Sequence, residues 1–575
     1  MRCSLRLATA VVLLCAAGVA GAQSPLEIEL DVPDRLRPLL EQHVRALRDD
    51  ALRPEDPADR RALVRRTRKE VADLLATEGY FSPEITLDRG ERWRLSVDPG
   101  PRTTVAAVEL GFEGELGDDP AMAGRVEELR RAWSLQVGEP FRQADWDDAK
   151  RSLIDEVSRR RYAAARITAS RAEVDPENAA VGLAVTVDSG PAFRLGELDV
   201  RGLEHLPADL VARYSTLQAG DFYDRDLLLA FQTSLQNAPY FASVVVDVEA
   251  DPARAAAVPV RVQVSEALPR RVGFGVGFSS NTGYRVEGSF RDANLFGRAW
   301  ELVSGLRLEQ RRQSAYADVF LPPRDVRHRD SVGALMERSD LEGLRLSTQA
   351  VGVARSTVRG DIETRIALRY QQEELRPDGA KATEHDTLTA NWTWTRRAVD
   401  NLLDPRRGFV LEFQVGGGSS IALAEQDFVR LYSRFVRYQP VGDTDNLILR
   451  LEGGVTLAPS RQGIPQDFLF RTGGAQTVRG YAYQSLGVRE GDAVVGGRYL
   501  GVASAEYVHW FRPQWGSAFF VDAGDAADDR RGFDPKVGYG VGARWRSPAG
   551  PLAADLAWSQ EERRLRLHFG VAIAF

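Results

Sequence analysis

Along the last eleven residues of the chain, apolar and polar or small positions alternate without a break. Leu565, Leu567, Phe569, Val571, Ile573 and Phe575 fall on one face, and Arg566, His568, Gly570, Ala572 and Ala574 on the other. A period of two is the signature of a strand with two unlike faces. The same alternation runs through Arg365–Gln371, where Ile366, Leu368 and Tyr370 oppose Arg369 and Gln371. In Thr387–Thr395, Leu388, Ala390, Trp392 and Trp394 oppose five polar residues. Leu447, Leu449, Leu451 and Val455 continue the pattern with one imperfection at Ile448. Pro322-Pro323, Asp404-Pro405, Gly442-Asp443 and Ser547-Pro548-Ala549-Gly550 punctuate these segments as turns.

A greasy terminal strand left as a bare edge would invite aggregation unless it closes a barrel. In lipid, only helices and closed sheets pair every backbone group. The chain past its leader has no apolar run long enough for a spanning helix, roughly 18 residues. The pattern therefore predicts a transmembrane antiparallel β-barrel over residues 269–575. Bacterial barrels use even strand numbers, and about 16 strands of roughly 19 residues each, turns included, fits this length best, with about 14 or 18 left open by the count.

Upstream, the period changes to that of helices and short strands, and the text repeats. Leu135-Gln136-Val137-Gly138-Glu139-Pro140-Phe141 answers Leu217-Gln218-Ala219-Gly220-Asp221-Phe222-Tyr223, 82 positions later. Helix-spaced apolar residues follow each, then Tyr162 or Tyr240, then a β-rich stretch. The first unit retains the later part, Tyr80-Phe81 and Leu95-Ser96-Val97-Asp98-Pro99-Gly100-Pro101, which matches Val185–Pro191. Self-similarity at this spacing predicts a tandem array. Three α+β modules over 23–101, 102–191 and 192–268 are expected, each ordered strand, helix, helix, strand, strand. A free sheet edge on such a module can accept a strand from an unfolded client, which makes a binding arm the better reading than a passive spacer.

The first residues bear on compartment. Arg2 and Arg6 precede the apolar run Leu7–Ala20, and Ala20-Gly21-Ala22 has the form of a signal peptidase site, so a leader over 1–22 is expected. Both cysteines, Cys3 and Cys15, fall within it, leaving neither a disulfide framework nor a thiol nucleophile. Net charge is −7, and −9 without the leader's two arginines, which does not favour a nucleic-acid partner.

Three such modules before a C-terminal barrel resemble the POTRA domains and barrel of the BamA/TamA outer-membrane assembly superfamily. The sharpest local match is Val478-Arg479-Gly480-Tyr481, within 471–487. It is similar to the motif on the superfamily's inward-folding loop. Phe520-Val521-Asp522-Ala523-Gly524 resembles the barrel-wall motif whose aspartate meets the loop arginine, which makes Asp522 the expected partner of Arg479. A guanidinium inside a lumen wants a carboxylate in fork geometry. Asp404-Pro405-Arg406-Arg407-Gly408 resembles a recurrent turn of the superfamily, and Gly570–Phe575 its C-terminal signal, with Ile573 where an aromatic is commoner.

The number of modules and the short barrel are nearest to the TamA branch. That resemblance implies a barrel seam between about 271–280 and 565–575, which can open toward lipid, and Gly273, Gly275, Gly277, Gly570 and Phe575 fall there. Those glycines either weaken the strands or ease curvature. It further implies a TamB-like inner-membrane-anchored partner, unfolded outer-membrane protein clients, outer-membrane lipid, and the outer membrane with a periplasmic arm as the location. No cofactor is implied. A secretion or diffusion channel, or partner-dependent phospholipid transfer, is the alternative.

An enzyme is not expected. The six histidines show no metal-ligand spacing, and neither a nucleophile elbow nor a phosphate loop is present. The acidic run Asp522, Asp525, Asp528 and Asp529 lacks the glycine placement of a calcium loop and reads as a solvated turn.

Overall fold

The computed structural model describes residues 28–48, 56–89, 93–324, 327–547 and 550–571. The leader read over 1–22 and Phe575 lie outside them. The chain divides into two compact units. One runs to Glu197 and includes Gln218–Asp226 and Glu249–Val258; the other holds Leu198–Leu217, Leu227–Val248 and the chain from Pro259 onward.

The first unit contains two three-stranded sheets, each with its last strand in the middle. Trp93–Asp98 lies between Ile28–Asp31 and Glu84–Arg89, and Ala180–Asp188 lies between Thr104–Glu113 and Arg166–Asp175. Each central strand pairs parallel with the first and antiparallel with the other. A parallel pair needs a crossover, and helices supply it. Helix Pro57–Thr77 begins at Asp56, whose carboxylate accepts the Ala58 N–H at 3.1 Å, with proline in the first turn. Its residues Leu63, Thr67, Val71 and Leu75, four apart, form the buried stripe that packs on Leu95 and Val97. Helix Gln143–Ser158 does the same with Trp146, Ala149, Leu153 and Val157 against alternate residues Val181, Leu183, Val185 and Val187. Burying one such side chain stabilises by about 1.5–3 kcal/mol.

A third sheet has the order Leu195–Arg201, Val258–Glu266, Phe241–Val248. Within the second unit, its Tyr240 hydroxyl donates to Ala299 O at 2.8 Å, and Asn294 Nδ2 donates to His205 O at 3.1 Å. The turn Phe296–Ala299 between the second and third barrel strands is thereby bonded to this module. Beneath it, Glu301 is buried between Arg291 and Arg329.

The rest of the second unit is a sixteen-stranded antiparallel sheet whose strands follow chain order from Arg270–Ser279 to Arg564–Val571. Every neighbouring pair carries a continuous ladder except for one bulge near Asp292. The sequence alternation appears as wall and lumen: Ile366, Leu368, Leu565 and Leu567 are exposed outward, whereas Gln371, Thr387, Thr389 and His568 are buried inside. The end of the barrel where Arg270 begins is the near end. The opposite, far end carries a long connection, 458–498, between strands Asp445–Leu457 and Tyr499–Trp510. This connection includes a small hairpin, Val488–Glu490 with Ala493–Val495.

Candidate functional site

The connection 458–498 folds back among the inward side chains of the last five strands, and Arg479 is its most heavily bonded residue. Arg479 is 4% exposed. Its Nε and Nη2 donate to the two oxygens of Asp522 at 2.7 and 2.9 Å, and its backbone N–H adds a third bond to Oδ2 at 3.1 Å. The remaining nitrogen, Nη1, donates to Glu506 at 2.6 Å and Asp555 at 3.1 Å. The guanidinium carbon lies 3.4 Å from the centre of the Phe520 ring, a cation–π geometry. Asp522, fully buried, is also held by Ser504 Oγ at 2.6 Å. Arg544 bridges Glu506 and Asp555 from the wall. Two guanidinia thus face three carboxylates, and each carboxylate meets at least one of them. A planar, permanently charged fork suits this arrangement where an ammonium would not.

The rest of the motif is seated by the absence of side chains opposite it. Gly480 has φ +97°, a left-handed conformation that disfavours a Cβ, and a Cβ there would lie 3.0 Å from the Trp558–Ser559 backbone. Its N–H donates to His568 Nε2 at 2.8 Å. A Cβ on Gly538 would sit 1.8 Å from Arg479 O, and one on Gly524 would press on Val478. Val478 and Tyr481, both fully buried, pack with Leu486 and Val502, and the Tyr481 hydroxyl donates to Val537 O at 3.3 Å.

The hairpin at the far end fastens the other side of the same connection. Asp492 N–H donates to Asp378 O at 2.8 Å and Val494 N–H to Glu342 O at 2.9 Å. Ala493 and Val495 join Leu344, Leu346 and Leu375 in one apolar cluster. The connection therefore spans the barrel, tied to late strands by Arg479 and to the turns at Glu342 and Asp378 by its hairpin.

The first and last barrel strands stand at the two ends of the sheet order, and among the described residues no backbone ladder joins them. Ser280 Oγ accepts from Phe569 N at 3.2 Å and donates to Phe569 O at 3.4 Å. Gly273 and Gly275 lie opposite Ser289 and Glu287 on the second strand, whose side chains fill the space a Cβ would need, while a Cβ on Gly277 would meet Arg285 at ordinary contact distance. Gly570 pairs with Ala553. Phe575 is outside the described residues.

The structure thus brings Arg479, Gly480, Tyr481 and Asp522 together and places the seam glycines some way from them in sequence. Sequence reading missed Glu506, Arg544, Asp555 and His568. Their signal is the parity of charged residues within otherwise apolar strands, as in Ala553-Ala554-Asp555-Leu556. The acidic run disperses: Asp528 pairs with Arg498, Asp529 caps the Arg531–Gly532 turn, and Asp525 accepts the Asp534 N–H.

Comparison with known proteins agrees with this geometry. Residues 271–575 match the Omp85 superfamily domain, and residues 122–190 match POTRA, the surface antigen variable number repeat. The outer membrane protein assembly factor BamA of Nitratidesulfovibrio vulgaris is 25% identical over 499 residues, which is 82% of this chain and 61% of that protein. The chain therefore spans about 61% of that relative's length. The fold is similar to the crystal structure of BamA from Haemophilus ducreyi lacking POTRA domains 1-3, with a TM-score of 0.69 and 15% identity, over 81% of this chain and 99% of that one. CdiB from Acinetobacter baumannii gives a TM-score of 0.45 at 14% identity, over 89% and 96% of the two chains. With a POTRA module ahead of a sixteen-stranded barrel, the chain belongs to the Omp85 superfamily.

Proposed function

We propose that this chain is an outer-membrane assembly factor that lowers the barrier to inserting outer-membrane proteins at its barrel seam. In this reading the near end of the barrel and the modules face the periplasm, and the far end faces outward. The observation that carries it is the contrast between the seam and the rest of the wall. Among the described residues, fifteen neighbouring strand pairs carry ladders, whereas the hydrogen bonds between the two end strands come from one serine. A strand edge with unpaired N–H and C=O groups is costly in hydrocarbon, so a client strand that pairs there gains what the seam lacks. Completed pairing and burial of apolar surface drive the step; no covalent reaction is involved.

The connection 458–498 occupies the lumen, which favours lateral release over passage along the barrel axis. Arg479 and Asp522 hold that connection in place, and Val478, Gly480 and Tyr481 seat it. Gly273, Gly275, Gly277 and Gly570 belong to the edges that part. A TamA-like role with a TamB-like, inner-membrane-anchored partner is the finer form of the proposal, supported by the sequence resemblance.

The test uses purified protein in liposomes with an unfolded outer-membrane barrel protein added, and insertion followed by protease protection. Insertion faster than into empty liposomes, and slowed by Arg479→Ala, is expected. No acceleration by correctly folded wild-type protein would overturn the proposal and point instead to partner-dependent lipid transfer.

A further inference from the structure

Within the first unit, two successive joints between modules share four equivalent backbone bonds, and the second adds Arg161 N–H to Tyr223 O and Arg225 N–H to Arg159 O. At the first, Thr103 N–H donates to Gly79 O, Phe141 N–H to Thr103 O, Val105 N–H to Glu139 O and Gly138 N–H to Val105 O, all at 2.8–2.9 Å. At the second, Phe193 N–H donates to Arg161 O, Tyr223 N–H to Phe193 O, Leu195 N–H to Asp221 O and Gly220 N–H to Leu195 O, at 2.7–2.9 Å. The residue offering the receiving carbonyl has positive φ in both, +89° at Gly79 and +67° at Arg161.

One pair of positions breaks the likeness in a regular way. At the first joint the socket residue Glu78 receives the plug residue Arg142 through two bonds of 3.0 and 3.1 Å. At the second, the equivalent socket residue is Arg160 and the equivalent plug residue is Asp224, 3.3 Å apart. The signs are exchanged. Where the third module aligns on Tyr240, the socket position holds uncharged Ala238, and Tyr240 reaches Ala299 instead. Aromatic packing follows the same plan with different partners: Phe81 meets Phe141 at 6.0 Å, and Phe222 lies between the guanidinia of Arg161 and Arg194.

From this sign exchange we infer that the joints are keyed, each socket being an interaction surface that fits the plug of the next module and repels the others. Setting Glu78 against Asp224 opposes two carboxylates, and setting Arg160 against Arg142 opposes two guanidinia. A half-exposed ion pair adds little stability on its own. Discrimination needs only the difference between the right and wrong partner, and like charges supply it. The backbone bonds and the aromatic contacts make the joint, and the charges select its partner. The inference stands apart from the proposed insertion activity.

The test is made on the full chain carrying Asp59→Cys and Ser170→Cys, with spin labels on these two exposed sites and the distance distribution between them measured. Wild-type charges give a narrow distribution. Glu78→Arg, which opposes two guanidinia, loses it, and Arg142→Asp alone does the same from the other side. Combining Glu78→Arg with Arg142→Asp installs the second joint's signs at the first and restores the narrow distribution. A distribution unchanged by both single variants, or not restored by the pair, overturns the inference.

Discussion

The Gly480 N–H donates to His568 Nε2 over 2.8 Å, so the inward connection is bonded directly to the last barrel strand. Asp555 lies on the strand next to the last one and Asp522 two strands before that; both hold Arg479, and His568 extends that attachment to the strand at the seam. The last strand is thus held from inside, and among the described residues the hydrogen bonds across the seam are those of Ser280, next to the end of the first strand, with Phe569.

Replacing His568 by alanine leaves a buried N–H without an acceptor, which costs about 1–3 kcal/mol. The expected outcome is faster hydrogen exchange at the Gly480 amide with the exchange of the early strands, such as Leu344–Arg359, unchanged. Equal slowing or equal acceleration across all strands would assign His568 a general packing role instead.

Arg479 answers to three carboxylates, so its loss is predicted to exceed the loss of any one of them. Breaking a buried ion pair by removing one partner costs roughly 3–5 kcal/mol. Arg479→Ala leaves Asp522, Glu506 and Asp555 with Arg544 alone, whereas Glu506→Gln leaves both guanidinia partnered. Thermal unfolding in detergent should rank Arg479→Ala well below Glu506→Gln. Arg479→Lys should rescue poorly, because an ammonium cannot reproduce the fork. The exchanged pair Arg479→Asp with Asp522→Arg should also fail, since an aspartate at 479 would face Glu506 and Asp555.

Two strand glycines, Gly538 facing the lumen and Gly453 on the outward face with Leu449 and Leu451, separate loop seating from strand propensity. A Cβ at Gly538 would lie 1.8 Å from Arg479 O, and one at Gly453 meets nothing within 4 Å. Gly538→Ala is predicted to expel the connection, seen as new protease cleavage within 471–487 in intact cells or liposomes. Gly453→Ala is predicted to leave that segment protected.

Part of this site was legible in the text of the chain. Val478–Tyr481 and Phe520–Gly524 are contiguous motifs, and forty-three residues separate Arg479 from Asp522, yet each motif fixes its own half. The barrel was legible because period two recurs with turn residues between; length and even parity gave about 16 strands with about 14 or 18 open, and the fold has 16. Glu506, Asp555 and Arg544 were not legible, since an inward charge in a barrel strand is common and nothing local says which charges converge. The hairpin Val488–Val495 was missed because three-residue strands carry too little pattern. The joint charges were invisible for a related reason: the 82-residue offset reveals the repeat, and only the fold shows that positions 78 and 142 touch.

The third module offers a pH dependence outside the barrel. Glu266 Oε1 accepts the N–H groups of Glu204, His205 and Leu206 at 2.9–3.0 Å. Burial pushes its carboxyl up, but these three bonds, with His205, outweigh it and hold the carboxyl below its usual range. A depressed folded value means that the stabilisation is fully present above the unfolded value, about 4.3, and is lost as pH falls through the folded value. Protection of the 204–206 amides, measured against the intrinsic exchange rate at each pH, should therefore fall in the wild type as pH drops through the folded value. Glu266→Gln should show lower protection at neutral pH and little further loss with acid.

The central claim is that the seam between the first and last strands opens for work. With the chain's two cysteines, Cys3 and Cys15, replaced by serine, Ser280→Cys with Phe569→Cys gives a chain that a short bis-maleimide can bridge across the seam. Client insertion into liposomes is compared before and after bridging, with a mono-maleimide control. The account predicts that the bridged protein no longer accelerates insertion while the singly modified protein still does. Equal acceleration by the bridged and control proteins would contradict it.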